Sequence, residues 1–354
     1  MKKNWIIICA VAILGLVAFV VVKTKSKSAT LKQDYHIENV DAITKLYLSN
    51  KLDVNLLLER VGPQGSDTAW LVNSMYPANQ PLVDMLLETL HDMRIRQHVN
   101  RNAIPNIIKN LSVNSIKVEV YQKVYLIDWF GGKLRLFPKE KLTTTYYVVS
   151  ETQDNMGTFM FREGDEVPYI IHIPGFRGFL TPRFNPNPPL WRTRKIVDCD
   201  VQDLKSVKIE IPQMPQESFE VVRNGESFDF LMLQSNTVQP NFDTARVAQL
   251  LSSFVKLNFD EYATVVPKVE LDTTFARPPG FVLTITDMAD RVRTLRTYIK
   301  FTNPELIKQL DGSELSEIFD VNRQYAILDN TDTVLIQYYV FDNILQPASY
   351  FLGR

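Results

Sequence analysis

The sequence has few of the residues on which most catalytic and metal centres depend. It contains 2 cysteines and 4 histidines among 354 residues. Cys9 lies inside a long apolar run, so Cys199 has no partner within the chain and a disulfide framework is excluded. His91 and His98 would lie two helical turns apart, roughly 10 Å, which is too far for both to bind one metal ion. We therefore predict no metal centre and no cofactor.

The sequence also lacks an excess of charge of either sign. Lysine and arginine number 39 and aspartate and glutamate 40, for a net charge of -1. A nucleic-acid-binding protein shows a basic excess, so we predict no nucleic-acid partner. The motifs G-x-S-x-G, H-E-x-x-H and C-x-x-C are absent as well. No catalytic residue is predicted, and these absences favour a protein that is not an enzyme.

One long apolar run is present, between Trp5 and Val22, and it carries no charge. A helix of that length spans roughly 27 Å, close to the thickness of the hydrocarbon core. We therefore predict a single-pass signal anchor over residues 1–28 that contacts the lipid bilayer through residues 5–22. A cleaved signal peptide is the alternative, although its apolar core is usually shorter. The flanking lysines do not decide the orientation; because short N-terminal tails of such anchors usually stay in the cytoplasm, we expect a cytoplasmic N-terminus and an exported body.

The rest of the chain contains one pattern twice. In the first half, alternating residues 43–48 predict a strand, and Asn79-Gln80-Pro81 precedes a helical pattern of apolar residues over 82–93. In the second half, residues 207–211 alternate, Asn224-Gly225 predicts a hairpin, and Gln239-Pro240 precedes a helical pattern over 247–255. Only the first half shows an evident second helix, over residues 103–111.

This repetition predicts the fold class and the domains. We expect an α+β protein in which an N-terminal transmembrane helix is followed by two similar, mostly antiparallel sheet-plus-helix units. The units would cover residues 29–197 and 198–354 and would derive from an internal duplication.

The stretch 172–195, in the first unit, has an unusual composition. It combines five prolines with aromatic and arginine side chains, a mixture that prevents a long helix and is typical of interface anchors. One interpretation is a connection that fixes itself to the body by burying its aromatic residues, and the sequence favours it. The other is a docking surface for another envelope protein. The candidate partner-binding residues would then be Phe176, Arg177, Phe179, Arg183, Phe184, Trp191 and Arg192.

Several segments resemble a known family. They are Gly157–Phe161, Pro168–Leu180, the pair Arg183-Phe184, the ITKLYL strand at 43–48 and the LLETL segment at 86–90. Together with the N-terminal apolar run, they resemble proteins of the domain-of-unknown-function 4340 family from Bacteroidetes-type bacteria. The resemblance covers most of the chain and is clearest over residues 40–192. It implies an inner-membrane protein with a periplasmic body, in a family some of whose members are encoded near gliding-type ABC transporter components. It implies no activity for any residue.

These observations predict a membrane-anchored periplasmic binding or scaffold protein, an accessory subunit of an envelope or ABC-transporter-type complex. Two alternatives remain open. The first is an envelope hydrolase or glycan-active enzyme whose carboxylates converge only in the folded chain. The second is a small-ligand carrier that uses a groove between the two units.

Overall fold

The computed structural model describes residues 35–63, 69–129, 134–302 and 318–353. The chain divides into two compact units between Thr193 and Arg194. This division comes a few residues before the boundary expected from the sequence.

The first unit is built on one nine-stranded sheet in which every pairing is antiparallel. Its strands are β1 (Ile43–Ser49), β2 (Asn55–Arg60), β3 (Trp70–Val72), β4 (Tyr76–Pro77), β5 (Arg94–His98), β6 (Ile116–Trp129), β7 (Leu134–Glu151), β8 (Thr158–Arg162) and β9 (Tyr169–His172). Their order across the sheet is β4-β3-β2-β1-β6-β7-β8-β9-β5. The helices are α1 (Gln80–Asp92), α2 (Ile104–Asn114) and the short α3 (Pro188–Trp191), with 3-10 turns at Val40–Ala42 and Thr181–Phe184.

One face of this sheet forms the core because buried and more exposed side chains alternate along its strands. Leu46 and Leu48 of β1 are fully buried, as are Val118 and Val120 of the neighbouring β6. Helix α1 covers this face with apolar residues three or four positions apart, of which Val83, Leu86, Leu87 and Leu90 are buried. The helical pattern read from the sequence over residues 82–93 is therefore found in α1.

The second unit contains another nine-stranded antiparallel sheet. Its strands are β11 (Leu204–Glu210), β12 (Phe219–Asn224), β13 (Ser227–Met232), β14 (Thr237–Gln239), β16 (Glu261–Tyr262), β17 (Val282–Asp287), β18 (Val292–Tyr298), β21 (Arg323–Leu328) and β22 (Asp332–Gln337). Two small pairs stand apart from it, β10 (Lys195–Val197) with β15 (Leu257–Asn258), and β19 (Phe301–Thr302) with β20 (Ile318–Phe319). The helices are α4 (Thr244–Ser252), α5 (Lys268–Phe275), α6 (Tyr338–Phe341) and α7 (Ala348–Leu352), with 3-10 turns at Val201–Asp203 and Pro215–Glu217.

The two sheets have the same topology. The second is ordered β14-β13-β12-β11-β17-β18-β21-β22-β16, which is the order of the first sheet position by position. In both units one helix follows the fourth strand of the sheet and another follows the fifth. The arrangement is compatible with the two similar units expected from the sequence.

The repeat extends further than the sequence indicated. Helix α5 occupies in the second unit the position that α2 has in the first, although we expected a second helix in the first half alone. The sequence of α5, KVELDTTF, has no continuous apolar face, and Thr274 is its one buried residue. Its half-buried Leu271 and Phe275 pack on the cluster around Tyr325. Tertiary packing, and not an amphipathic pattern, accounts for this helix.

The two Gln-Pro pairs are not structural equivalents. Gln80 and Pro81 begin α1, where a proline is tolerated because the first N–H groups of a helix have no intrahelical partner. Gln239 instead ends β14, and α4 begins five residues later at Thr244, where the Asp243 side chain accepts from two backbone N–H groups. Asn79, the residue before α1, forms no such side-chain bond.

The predicted fold class is wrong in its helical part. Among the residues that the structure describes, more lie in strands than in helices. No helix in the part of the chain that the structure describes is long and apolar enough to cross a membrane. A span needs about 20 apolar residues, whereas the amphipathic α1 has 13 residues. The run at residues 5–22, on which the prediction of a transmembrane helix depended, lies outside the described residues.

A buried tyrosine donates to a carboxylate in each unit. The Tyr35 hydroxyl donates to Asp165 Oδ2 at 2.8 Å, and the Tyr325 hydroxyl donates to Glu270 Oε1 at 2.8 Å. Burial, and next the hydrogen bond to the carboxylate, raise the pKa of both hydroxyls well above the usual value near 10. Both tyrosines therefore stay protonated in the folded protein at a pH where the unfolded chain ionises.

We expect alkaline pH to destabilise both units through these tyrosines. Their contribution to the free energy of unfolding is fully present below about pH 10 and falls above it, by about 1.4 kcal/mol per pH unit for each residue. Urea unfolding over a series of pH values measures this slope. Tyr35→Phe and Tyr325→Phe should each make the slope shallower by that amount. A slope that neither substitution changes would contradict the prediction.

Candidate partner-binding site

Residues 172–195, which we call the closing segment, complete the core of the first unit. It runs from the end of β9 to the start of β10. Leu180 and Phe184 are fully buried, and Trp191 is 3% exposed, all within the core cluster under α1. The Leu180 N–H donates to Thr158 Oγ1 at 2.6 Å, and Trp191 Nε1 donates to the Asn185 carbonyl at 2.7 Å. These aromatic residues are structural, as in the interpretation that the sequence favoured.

The same segment holds the start of α1 in place. The Asn79 N–H donates to the Trp191 carbonyl at 2.7 Å, and the Thr193 N–H donates to the Pro77 carbonyl at 2.9 Å. Since Asn79 precedes the first residue of α1, its N–H needs a partner outside the helix. The segment therefore supplies an acceptor for the backbone N–H that precedes α1.

The second unit has a counterpart to this segment at its C-terminal end. Phe341 and Ile344 lie in the second core, and Phe351 is fully buried there. The Asp243 N–H, just before α4, donates to the Phe351 carbonyl at 2.8 Å. Residues 172–193 and 338–352 thus perform the same structural task in their own units: each buries aromatic side chains in the core and accepts the N–H that precedes a helix. This task accounts for the aromatic residues in the segment 172–195.

Two of the candidate arginines contact side chains of their own unit. Arg183 Nη1 donates to Thr89 Oγ1 of α1 at 3.0 Å, and its guanidinium lies 4.6 Å from the ring centre of Phe176. The Arg192 guanidinium lies 3.6 Å from the ring centre of Tyr76. Both arrangements are cation–π contacts. The partners Thr89 and Tyr76 are about a hundred residues away in sequence, and no local pattern identified them.

Phe176 and Arg177 are the candidates that remain exposed, whereas Phe179 is half-buried. They form a turn between two glycines with positive φ, Gly175 at 83° and Gly178 at 150°. A Cβ on Gly178 would lie 3.0 Å from the Phe176 ring. The turn therefore needs glycine at this position, and the ring of Phe176 packs between Gly178 and the Arg183 guanidinium. We call residues 174–178 the Phe176 turn.

His172 of the first unit and Cys199 of the second have shifted pKa values. Burial, and then the charge of Arg96, lower the pKa of His172, so this histidine is neutral at pH 7. Burial, followed by the charges of Asp203, Asp287 and Asp198, raises the pKa of the Cys199 thiol and makes it a poor nucleophile. Among the described residues, no group of three or more His, Cys, Asp or Glu side chains could hold a metal ion.

Comparison with known families adds one finding. Residues 70–275 match the family described as Domain of unknown function (DUF4340). The chain belongs to the DUF4340 family. The match begins in β3 and ends in α5, so the DUF4340 region includes the closing segment of the first unit and the first half of the second. Neither the curated proteins nor the solved structures contain a match.

The DUF4340 match and the repeat have different bounds. The matched region contains the Phe176 turn and the hydrogen bond between Trp191 and Asn79. It does not contain Phe351, which forms the equivalent hydrogen bond with Asp243 in the second unit. The description of the DUF4340 family names no activity.

Proposed function

We propose that this chain is a non-catalytic binding protein of the cell envelope, an accessory subunit that docks on another envelope protein through the Phe176 turn. The observation that carries the proposal is an exposed Phe-Arg pair in which the Phe176 ring rests on the Arg183 guanidinium. Phe176 is 37% exposed although it packs on Arg183, and Arg177 is exposed beside it. Aromatic and arginine side chains are enriched among the residues that dominate interface energetics.

Rigidity makes this pair suitable for binding. An interface side chain that must be ordered on association costs about 0.5–1.5 kcal/mol. Here Arg183 already supports the ring and is itself fixed by Thr89, whose Oγ1 also donates to the Met85 carbonyl within α1. A partner would therefore meet a preformed anchor.

The resemblance noted in the sequence supports two finer points. We propose that the source is a Bacteroidetes-type bacterium and that the folded units lie in the periplasm. A protease added to spheroplasts should then degrade the units. A chain that is degraded only after the cells are lysed would contradict the periplasmic location.

The test of the docking surface is the paired variant Phe176→Ala with Arg177→Gln. A residue that dominates an interface contributes about 2 kcal/mol or more to the binding free energy. We therefore expect the amount of partner that co-purifies with the variant to fall at least about tenfold. The measurement is crosslinking of the full chain in the cells that make it, followed by quantitative mass spectrometry of the proteins that co-purify.

A matched variant separates this surface from a general loss of surface side chains. Tyr339 is 89% exposed and the Arg291 side chain 79% exposed, both in the second unit. Tyr339→Ala with Arg291→Gln should leave partner recovery unchanged. The proposal fails if the two paired variants recover the same proteins in the same amounts while both keep the wild-type circular dichroism spectrum.

A further inference from the structure

The two units differ in the length of one hairpin. In the second unit, β17 and β18 pair as far as Thr286 and Val292. In the first, β6 and β7 continue to Trp129 and Leu134. β1 pairs with β6 as far as Gln122, and β8 pairs with β7 from Tyr146 onward. Within the described chain, residues 123–129 pair with β7 alone and residues 134–142 pair with β6 alone. We call these residues the arm, which extends roughly 23 Å at about 3.3 Å per residue.

The base of the arm is firmly attached to the sheet. Glu140 accepts from Lys45 Nζ and from Thr44 Oγ1, both at 2.6 Å. At the neighbouring position, Thr143 Oγ1 donates to Gln122 Oε1 at 2.8 Å. The arm is thus an oriented projection from the sheet.

The outer part of the arm exposes apolar side chains on both faces. Leu126 is 81% exposed and Phe137 65%, and they lie between the pairs Tyr125–Pro138 and Ile127–Leu136, so they share one face. Leu134 and Leu136, 38% and 42% exposed, lie on the other. A two-stranded ribbon has no core of its own in which to bury such residues. Exposed apolar surface of this kind is typical of sites that bind another protein or a membrane.

The charge of the arm indicates what covers it. The arm carries four basic residues, Lys123, Arg135, Lys139 and Lys141, against Asp128 and Glu140, in a chain whose net charge is -1. Lys45 already neutralises Glu140. Lys139 and Lys141 are exposed and form no ion pair with a described residue. Apolar side chains interleaved with lysines are complementary to an anionic lipid surface, where the lysines reach the headgroup phosphates.

The backbone of the arm disfavours a protein strand as the occupant. Strand addition needs a regular edge of N–H and C=O groups. Pro138 has no N–H, Phe137 has φ of 57°, and the register shifts at the base between Val120 and Tyr121. Prolines, lysines and irregularities of this kind protect sheet edges from pairing. The β7 edge of the arm is therefore a poor site for strand addition.

We propose that the arm binds an anionic lipid bilayer, with Leu126 and Phe137 in the headgroup region and Lys139 and Lys141 against the lipid phosphates. This interaction is independent of the Phe176 turn and of the protein partner proposed for it.

The test is amide hydrogen exchange of the arm in the full chain. Equal amounts of the chain are mixed with vesicles of phosphatidylcholine alone or of equal parts phosphatidylcholine and phosphatidylglycerol. The same full chain is used with both kinds of vesicle, so any binding through its other apolar segments is common to the two samples. Exchange measured in peptides from the arm reports on the arm alone. We expect the amides of residues 123–129 and 134–142 to be protected on the anionic vesicles and not on the neutral ones.

Two pairs of variants test the residues. Each lysine near an anionic surface contributes about fivefold to the partition ratio, so Lys139→Gln with Lys141→Gln should lower the ratio of protected to exchanging arm about 25-fold. Lys256→Gln with Lys268→Gln removes the same charge from exposed positions of the second unit and should have no effect. Leu126→Asn with Phe137→Asn should abolish protection, whereas Val265→Asn with Met288→Asn, at positions 92% and 56% exposed, should not.

Three results would overturn the proposal. The first is an arm that exchanges equally fast with neutral and anionic vesicles. The second is protection on anionic vesicles that the lysine and apolar variants of the arm retain. The third is protection that grows with protein concentration in the absence of lipid, which would identify a second copy of the chain as the occupant. Because the readout is local to the arm, none of these results bears on partner recovery through the Phe176 turn.

Discussion

Trp191→Ala is expected to lower the free energy of unfolding of the first unit by about 3–5 kcal/mol. The side chain is 3% exposed in the core beneath α1, and its Nε1 donates to the Asn185 carbonyl. Alanine would leave a cavity and an unpartnered carbonyl. The loosened segment would also hold the N–H of Asn79, at the start of α1, less firmly. Urea unfolding combined with hydrogen exchange measures the effect unit by unit.

The adjacent residue provides the control. Leu190 is 37% exposed, so Leu190→Ala in the same short helix should cost less than about 1 kcal/mol. Equal losses for the two variants would mean that the segment 172–195 contributes to the first core in some way other than through the indole of Trp191.

Phe351→Ala is expected to lower the free energy of unfolding of the second unit by a similar amount, about 3–5 kcal/mol. Phe351 is fully buried, and its ring lies 5.1 Å from that of Phe219 and 6.1 Å from that of Phe230. These tilted contacts add to the burial of apolar area. Its carbonyl accepts from the Asp243 N–H before α4, as that of Trp191 accepts from Asn79.

The two large effects should be confined to different units. Trp191→Ala should increase hydrogen exchange in the strands of the first sheet and Phe351→Ala in those of the second. Tyr339 is exposed and lies in the sequence after the last strand of the second sheet and before Phe351. Tyr339→Ala should therefore change hydrogen exchange in neither sheet. If one substitution loosens both sheets equally, the two cores do not unfold as separate units.

Much of the local structure could be predicted because one-face burial leaves a visible period in the sequence. Alternation at 43–48 corresponds to β1, and Asn224-Gly225 corresponds to the hairpin of β12 and β13, where Gly225 has a positive φ of 63°. Helix α2, expected over 103–111, begins at Ile104 and ends at Asn114. The repeat itself was recognisable from the order of these patterns.

What could not be predicted depends on contacts between residues far apart in the chain. No local signal places β5 beside β9 at the edge of the first sheet, because that pairing joins Arg94 to His172. The expected equivalence of the two Gln-Pro pairs was wrong because the second pair ends a strand. Helix α5 was missed because its packing residues, Leu271 and Phe275, are too few to create an amphipathic stripe.

The candidate site was predicted as a set but divides into two groups in the structure. Composition identified the segment 172–195 but could not tell buried residues from exposed ones, because Phe184 and Phe176 occur in equally aromatic surroundings in the sequence. The division follows from Gly175 and Gly178, whose positive φ turns Phe176 outward over Arg183. Whether the exposed pair binds a partner stays a prediction.

The closing segments also bear on how the chain is made. Every strand of the first sheet, and the aromatic residue that completes its core, precede Arg194. A ribosome therefore synthesises all the components of the first core before any strand of the second sheet, and domains generally fold as units during translation. Sequential completion matters here because two sheets of identical order could exchange strands if both were unfolded together. Refolding from denaturant lacks that order of synthesis, so we expect strand exchange between the two sheets to be more frequent there.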